Sequence, residues 1–392
     1  MSKLEQLIDE LCPNGVEYVE LNSILDYEQP TKYIVETTNY DDSFETPVLT
    51  AGQTFVLGYT NETGGIYIST KENPTIIFDD FTTSFHWVDF SFKIKSSAMK
   101  MLRVKLLEDK NALLRYIYHC MKNIQYQPVD HSRQWIAKYS YFRIPLPPLP
   151  VQEEIVRILD NFTELTAELT AELRARKKQY EYYRESLLTF GDGVPMVQLK
   201  AVVKKSCSGA TPNKGNSEFY TNGSVPWLRT QEVKFNEIYK IGSFITEEAV
   251  RKTSAKWIPT NCVIVAISGA TAGRCAINKI PTTTNQHCYN MEIDETKALY
   301  KYVFYCVCSQ YEELLSRKQG ARGDLNSSLI MGIYIPLPSL PKQRRIVEIL
   351  DRFDILCNDI SSGLPAEIKA RQKQYEYYRD KLLTFPKAEL EV

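Results

Sequence analysis

Apolar residues recur at alternating steps of four and three along two stretches of this chain. From Ile155 the series runs through Leu159, Phe162, Thr166, Leu169, Leu173, Arg176, Tyr180 and Tyr183 to Leu187, and eight of these ten positions are apolar. That spacing is a coiled-coil seam. It predicts one helix over 150–190, roughly 60 Å long at ~1.5 Å per residue. The second series runs Ile346, Leu350, Phe353, Cys357, Ile360 and Leu364, then needs two successive steps of four to reach Ile368, Arg371, Tyr375, Tyr378 and Leu382. Coiled coils tolerate such a stutter. Gly363 and Pro365 fall inside it, however, so a break or kink is expected near Pro365. Elsewhere the pattern changes. "TIIFDDF", "WVDFSFKI" and "NCVIVAIS" are short runs rich in Val, Ile and Phe, the signature of strands. "NALLRYIYHCM" and "ALYKYVFYCVCSQYEELLS" keep helical periodicity. The expected fold class is α+β, with turns at "GYTNETGG" and "PNKGNSEFYTNG".

The chain also repeats itself. "IPLPPLPVQEEIVRILDNF" at 144–162 returns as "IPLPSLPKQRRIVEILDRF" at 335–353, an offset of 191 residues. "KKQYEYYRESLLTF" at 177–190 returns as "QKQYEYYRDKLLTF" at 372–385, an offset of 195. The second copy is therefore four residues longer between its two matching halves. "NGVEYVEL" at 14–21 is echoed by "DGVPMVQL" at 192–199. The layout is globule 1–143, helical region 144–191, globule 192–334, helical region 335–392. Two half-molecules joined head to tail predict an internal pseudo-two-fold axis, with the two long helices packed antiparallel as a coiled coil. Inside the first rod, "TELTAELTAEL" at 163–173 is low in complexity yet built from strong helix formers. A unit of four residues is close to one helical turn.

Composition adds boundaries rather than a function. The 392 residues suffice for two domains with their own cores. No run approaches eighteen apolar residues, and the N-terminus lacks the apolar stretch of a signal peptide. Nine cysteines without disulfide-scaffold spacing fit a reducing cytoplasm. The net charge of −1 hides an asymmetry: residues 1–143 hold 14 Lys+Arg against 19 Asp+Glu, whereas residues 196–333 hold 17 against 11. Neither globule is strongly basic, so binding to DNA requires basic residues gathered on one face or a partner that supplies the rest.

Motifs of catalysis are absent. There is no phosphate-binding loop, nucleophile elbow, zinc helix or glycine-rich cofactor loop, and no tetrapeptide of the kind amino-methyltransferases use. His287 and Cys288 adjoin, but no second pair stands at metal-ligand spacing. Asp79 and Asp80 hint at a metal-dependent nuclease, although ending a strand and capping a turn accounts for them more simply. What remains is a pair of loop-rich modules on rods. "TTSFHW", "KIKSSAMK", "VPWLRTQEVK", "SGATAGR" and "TTTNQH" mix Thr, Asn, Gln, Ser and aromatics with single Lys or Arg. Asn and Gln can pair with adenine edges, Arg with guanine, and Thr can touch the thymine methyl.

The whole layout resembles the specificity subunit of a Type I restriction-modification system. The signature "LPxQxxIVxILDxF" stands at Leu149, Pro150 and Gln152 and again at Leu340, Pro341 and Gln343. "SGATPNK" with "SVPWLR" resembles the opening of a target recognition domain, and "TTNQ" fits a later element. The tandem "TAEL" resembles the IC group. The first globule departs from the pattern, opening "YEQPTKYIVETTNY" without G-x-T-P; two different half-sites are therefore expected. A Type IIB-like specificity subunit is the alternative.

The resemblance implies a non-catalytic, cytoplasmic subunit that binds double-stranded DNA, with no membrane role. Its partners would be two methyltransferase subunits carrying S-adenosylmethionine and two restriction subunits using ATP and Mg. No cofactor or metal would be bound by this chain. Loop chemistry and family position together nominate Lys32, Thr50, Gln53, Thr82, Thr83, Lys95, Lys100 and Arg133 as DNA contacts in the first domain. In the second they nominate Thr211, Trp227, Arg229, Ser268, Thr271, Arg274, Asn285 and Gln286. Gln152, Tyr182, Arg184, Gln343, Tyr377 and Arg379 are nominated as partner contacts.

Overall fold

The computed structural model describes residues 2–52, 54–106, 111–317, 324–359 and 361–388. Its longer helices are α1 (Lys3–Leu11), α2 (Leu114–Asn123), α3 (Leu149–Leu188), α4 (Tyr300–Ser309), α5 (Leu340–Asn358) and α6 (Leu364–Leu382). The chain forms two compact units, Met1–Thr170 with Glu367–Val392, and Ala171–Ala366. The division therefore falls inside α3, which runs unbroken over 40 residues as its seam predicts. Threonine is a poor helix former, but each repeat threonine has a partner one turn back. Thr163 donates to Leu159 O (3.1 Å), Thr166 to Phe162 O (2.8 Å) and Thr170 to Thr166 O (2.7 Å).

In the first unit, strands β1 (Tyr18–Glu20) to β9 (Arg143–Pro145) build three sheets. β2 (Leu25–Glu28), β8 (Met99–Val104), β5 (Thr75–Asp79) and β6 (Phe85–Val88) form an antiparallel four-stranded sheet in that order. β4 (Val56–Thr60), β3 (Thr46–Leu49) and β7 (Lys93–Ile94) form a smaller sheet, in which β3 and β7 run parallel. β1 and β9 form a ribbon leading into α3. Strand β5 is buried on both faces. Ile76 and Phe78 pack toward Tyr116, Ile117 and Met121 of α2 and toward Val151, Ile155 and Leu159 of α3. Ile77, one step out of phase, packs toward Leu49 and Ile94 of the small sheet. At the far end of the chain, α6 returns to this unit, with Tyr378 stacked on Phe162 (5.3 Å).

The second unit repeats the plan. β11 (Val203–Ser208), β18 (Cys288–Ile293), β15 (Val263–Ala266), β16 (Cys275–Asn278) and β13 (Asn236–Ile238) form the main sheet. β14 (Phe244–Ile245), β12 (Val225–Leu228) and β17 (Thr283–Thr284) form the small one, with β12 and β17 parallel. β10 (Met196–Gln198) and β19 (Tyr334–Pro336) make the ribbon before α5. Val263 and Val265 pack toward Tyr302, Val303 and Val307 of α4 and toward Ile346 and Leu350 of α5. Within this unit α3 and α5 are antiparallel, because Tyr180 and Tyr183 stack on Phe353 while Lys342 lies over Phe190.

The second rod breaks as expected, its helices ending at Asn358 and restarting at Leu364. The Asp359 carboxylate accepts from Ser361 N (2.7 Å) and from the Ser361 and Ser362 hydroxyls (2.6 Å each). A Cβ on Gly363 would lie 2.4 Å from Ile355 O, so only glycine fits. α6 then restarts with Pro365 in its first turn, where no N–H is needed. Ile360, a predicted seam position, lies outside the described residues.

Each domain helix is fastened to its rod by a carboxylate. In the first unit Asp160 of α3 accepts from Arg115 Nε (2.8 and 3.1 Å) and lies 2.9 Å from His119 Nε2. The other His119 ring nitrogen is 3.1 Å from the Tyr375 hydroxyl of α6. Burial lowers the His119 pKa, with Arg115 and Lys122 adding to the effect, and these outweigh the opposing pull of Asp160. Burial alone would raise Asp160, but His119 and Arg115 hold it below its ordinary value. The signs separate two pH windows. Below the unfolded His value of about 6.5, the unfolded chain takes up a proton that the folded chain resists, so stability falls as pH drops from 7 toward 5. The Asp160 contribution is present above about 3.9 and is lost only below it. His119→Tyr, which places a hydroxyl where the second unit has Tyr305, should flatten the decline in melting temperature between pH 7 and 5. An unchanged slope by circular dichroism would assign the decline to other groups.

Candidate nucleic-acid interface

In the second unit, four backbone segments meet beyond the strand ends. Gly209 N donates to Cys288 O (3.1 Å), Ala210 N to Thr284 O (2.9 Å), Asn285 N to Leu228 O (2.9 Å) and Ile267 N to His287 O (2.9 Å). A Cβ on Gly209 would stand 2.2 Å from Thr284 O, which explains the glycine of "SGATPNK". The side chains then link up. Thr211 donates to Gln286, Gln286 Nε2 lies 3.1 Å from His287 Nε2, and His287 Nδ1 lies 2.6 Å from Ser268 Oγ. Arg229 sits over the Trp227 ring (5.7 Å) at the end of β12. Asn285 is buried, 8% exposed, and its Oδ1 has no hydrogen-bond partner among the described residues. Thr271 and Arg274 are half-buried in the loop that Ser268 opens, with Arg274 N donating to Thr271 O (3.0 Å). Thr211, Arg229, Ser268, Asn285 and Gln286 are thus brought into one patch of donors and acceptors.

The first unit presents the same scaffold with different chemistry. Lys95 N donates to Leu49 O (3.1 Å), the counterpart of Asn285 N to Leu228 O. Thr50 therefore stands where Arg229 stands, and Lys95 where Asn285 stands. Asp80 N donates to Ala98 O (2.9 Å) and Gln134 N to Asp80 O (2.7 Å). These match Ile267 N to His287 O and Leu325 N to Ile267 O (2.8 Å). Thr82 is exposed at the tip of this loop, and its N–H is capped by Asp79. Lys95 is exposed beside the Tyr40 ring (5.9 Å). Arg133 is half-exposed, 3.6 Å from Asp80. Lys32 is exposed and paired with Glu28 (3.3 Å). Gln53 lies outside the described residues.

Five nominated residues point inward, and each needs correcting. Lys100 is fully buried, 3.2 Å from Asp80 and over the Tyr27 ring (4.6 Å), so it reaches no phosphate. Trp227 is a core wedge whose indole N–H donates to Ala210 O (3.0 Å). Thr83 is buried in a left-handed backbone conformation (φ 59°), its hydroxyl turned back to Thr82 O (2.7 Å). Gln152 and Gln343 are fully buried clamps rather than partner contacts. Gln343 accepts from Leu299 N (2.9 Å) and donates to Lys297 O (3.2 Å) and Pro338 O (2.8 Å). Gln152 does the same for Leu113 N, Asn111 O and Pro147 O. Gln343→Leu leaves these groups unpaired and should destabilise the chain by about 2–4 kcal/mol in urea unfolding; a change under about 0.5 kcal/mol would remove the clamp. By contrast Tyr182 and Tyr377 are exposed at matched positions, each edge-on to the next tyrosine. Arg184 and Arg379 lie over Tyr180 and Tyr375.

Two participants noted in the sequence were not among the nominated contacts. His287, in the "TTTNQH" loop, is the relay between Gln286 and Ser268. Asp80 ties three loops together, its Oδ1 accepting from Trp135 N (2.7 Å). Asp79 accepts from Phe81 N and Thr82 N, so both carboxylates serve local structure. Among the described residues no group of three His, Cys, Asp or Glu is placed to hold a metal.

The same scaffold twice over, with unlike loop tips, is matched by the family comparison. A model of the type I restriction modification DNA specificity domain fits residues 13–176 and again 192–370. The chain belongs to this family. It is 45% identical over 404 aligned positions to the EcoR124I/EcoR124II type I restriction enzyme specificity subunit of Escherichia coli, covering 99% of this chain and 98% of the relative. The fold matches the type I S subunit from M. genitalium (TM-score 0.62, 14% identity, 94% and 96% covered). It also matches a solved chain of another type I system (TM-score 0.56, 16% identity, 95% and 98% covered). This specificity subunit is therefore a DNA-recognition component of a Type I system, which displaces the Type IIB-like alternative. No described helix is long and apolar enough to cross a membrane.

Proposed function

We propose that each domain reads its own short block of double-stranded DNA in the major groove and that the rods fix the unspecified gap between the blocks. The observation that carries this is the pair of matched positions, Thr50 against Arg229 and Lys95 against Asn285. Scaffold and backbone bonds are kept while the side chains that would face DNA differ in chemistry. One domain thus offers a hydroxyl and an ammonium, the other a guanidinium and an amide. Two unlike readers on one chain require an asymmetric, bipartite target. Thr50, Thr82, Lys95 and Arg133 in the first domain, and Thr211, Arg229, Ser268, Asn285 and Gln286 in the second, are the proposed contacts, and Lys32, Gln53, Thr271 and Arg274 are further candidates.

In this reading the chain does no chemistry itself. Two methyltransferase subunits, bringing S-adenosylmethionine, would dock on the repeated "QYEYYR" faces through Tyr182, Arg184, Tyr377 and Arg379. Two restriction subunits would bring the ATP- and Mg-dependent steps. The test is a methylome: this chain with its cognate methyltransferase subunit in a methylation-free host, followed by single-molecule mapping of modified adenines. An asymmetric motif of two blocks with one fixed gap is expected. A continuous motif would end the two-reader proposal.

A further inference from the structure

The repeated rod segments "ILDNF" and "ILDRF" place one carboxylate in each unit, Asp160 and Asp351, and both receive the same kind of grip from different side chains. On α2 the donors are Arg115 and His119; on α4 they are Lys301 (2.7 Å to Asp351) and Tyr305 (2.6 Å). In each case the donors stand four residues apart, on one helix face. In each case the cation also reaches the edge strand of the main sheet. The Arg115 guanidinium lies over Trp87 of β6 (4.7 Å), and Lys301 lies 3.1 Å from Glu237 of β13. The carboxylate has thus been kept through the duplication, while both donors and both sheet partners have been replaced. Apolar packing alone would hold α2 against α3, as the shared core of Ile117, Ile155 and Leu159 does. A non-directional core leaves a helix free to slide or roll by a fraction of a turn, whereas two hydrogen bonds to one carboxylate do not.

Building on the proposed two-reader mechanism, we infer that Asp160 and Asp351 are positioning residues that set each recognition domain's angle on its rod, and so the precision of the gap. They touch no base. They act through α2 and α4, which carry the sheets whose loop tips do the reading. Asp160→Asn keeps the shape but offers one acceptor oxygen in place of two. Arg115 Nε contacts both carboxylate oxygens, and His119 then competes for the remaining one.

The experiment is the methylome of the assembled methyltransferase, with the unsubstituted chain run in parallel. For D160N, and independently for D351N, both base blocks are expected to stay as they are. The fraction of methylation at gaps one base pair longer or shorter should rise at least tenfold. The exchange R115K/H119Y gives Asp160 the donors that serve Asp351, and it should keep a single gap. A single sharp gap in D160N with merely reduced methylation, or none, overturns the inference, since that is all a stability role would produce. Loss of the sharp gap in the exchange variant also overturns it. If the unsubstituted chain shows no bipartite motif, the two-reader mechanism itself fails, which is a separate result.

Discussion

Removing Thr166–Leu169 from α3 should shorten the unspecified gap by one or two base pairs and leave both base blocks unchanged. The deletion takes out four residues, or about 6 Å of helix, against ~3.4 Å per base step along a strand. It also turns everything beyond it by about 40°, because four residues exceed a 3.6-residue turn. The local structure is rebuilt rather than damaged. Thr170 moves into the place of Thr166, where its hydroxyl again finds Phe162 O, as Thr166 does at 2.8 Å. Leu173 moves into the place of Leu169 on the seam. Tandem identity makes this register change cheap, and that gives the low-complexity stretch its use as a ruler. The readout is the methylome motif of the deletion variant. An unchanged gap with uniformly weaker methylation would show that α3 holds the domains without measuring anything.

The rods were legible because a coiled-coil seam is a long, local signal. The 40-residue helix and the break before Pro365 follow from spacing and two helix breakers, and the antiparallel packing, made by Tyr180 and Tyr183 on Phe353, follows from the repeat. The reading surface was less legible, for a physical reason. Main-sheet strands are covered on both faces, so the alternation that separates inside from outside fades. Along β8, "MKMLRV", residues 99 to 102 are all buried. Lys100 then looks like a loop cation, although Asp80 and Tyr27, distant in sequence, enclose it. Trp227 misled in the same way, since its partner Ala210 lies on another loop. Gln152 and Gln343 stood next to proline runs and read as surface. Proline carbonyls without helical partners are what their amides satisfy. Thr82, Lys95 and Gln286, by contrast, are exposed on loop tips, where local chemistry decides.

Asn285→Ala should weaken DNA binding by roughly tenfold to a hundredfold and make one position of a single base block degenerate, leaving the other block intact. The amide's backbone N–H is fixed to Leu228 O, so the side chain is held in place rather than mobile. Its Oδ1 is buried with no partner among the described residues, and a buried acceptor without a donor is costly. A base edge offering an amino group, as adenine does through N6, would satisfy it and leave Nδ2 to donate to N7. One bidentate pair of this kind discriminates by about 1–3 kcal/mol. Lys95→Ala at the matched position of the first domain removes a charge instead. It should weaken binding across sequences and lower the salt dependence by about one phosphate's worth. The two substitutions therefore separate by kind as well as by domain: one changes the motif, the other the salt slope. Fluorescence anisotropy of the assembled complex on the methylome-defined duplex, at several salt concentrations, reads both. If Asn285→Ala only steepens or flattens the salt response and the motif stays sharp, the amide holds backbone and the specificity of that block lies with Arg229 or Gln286.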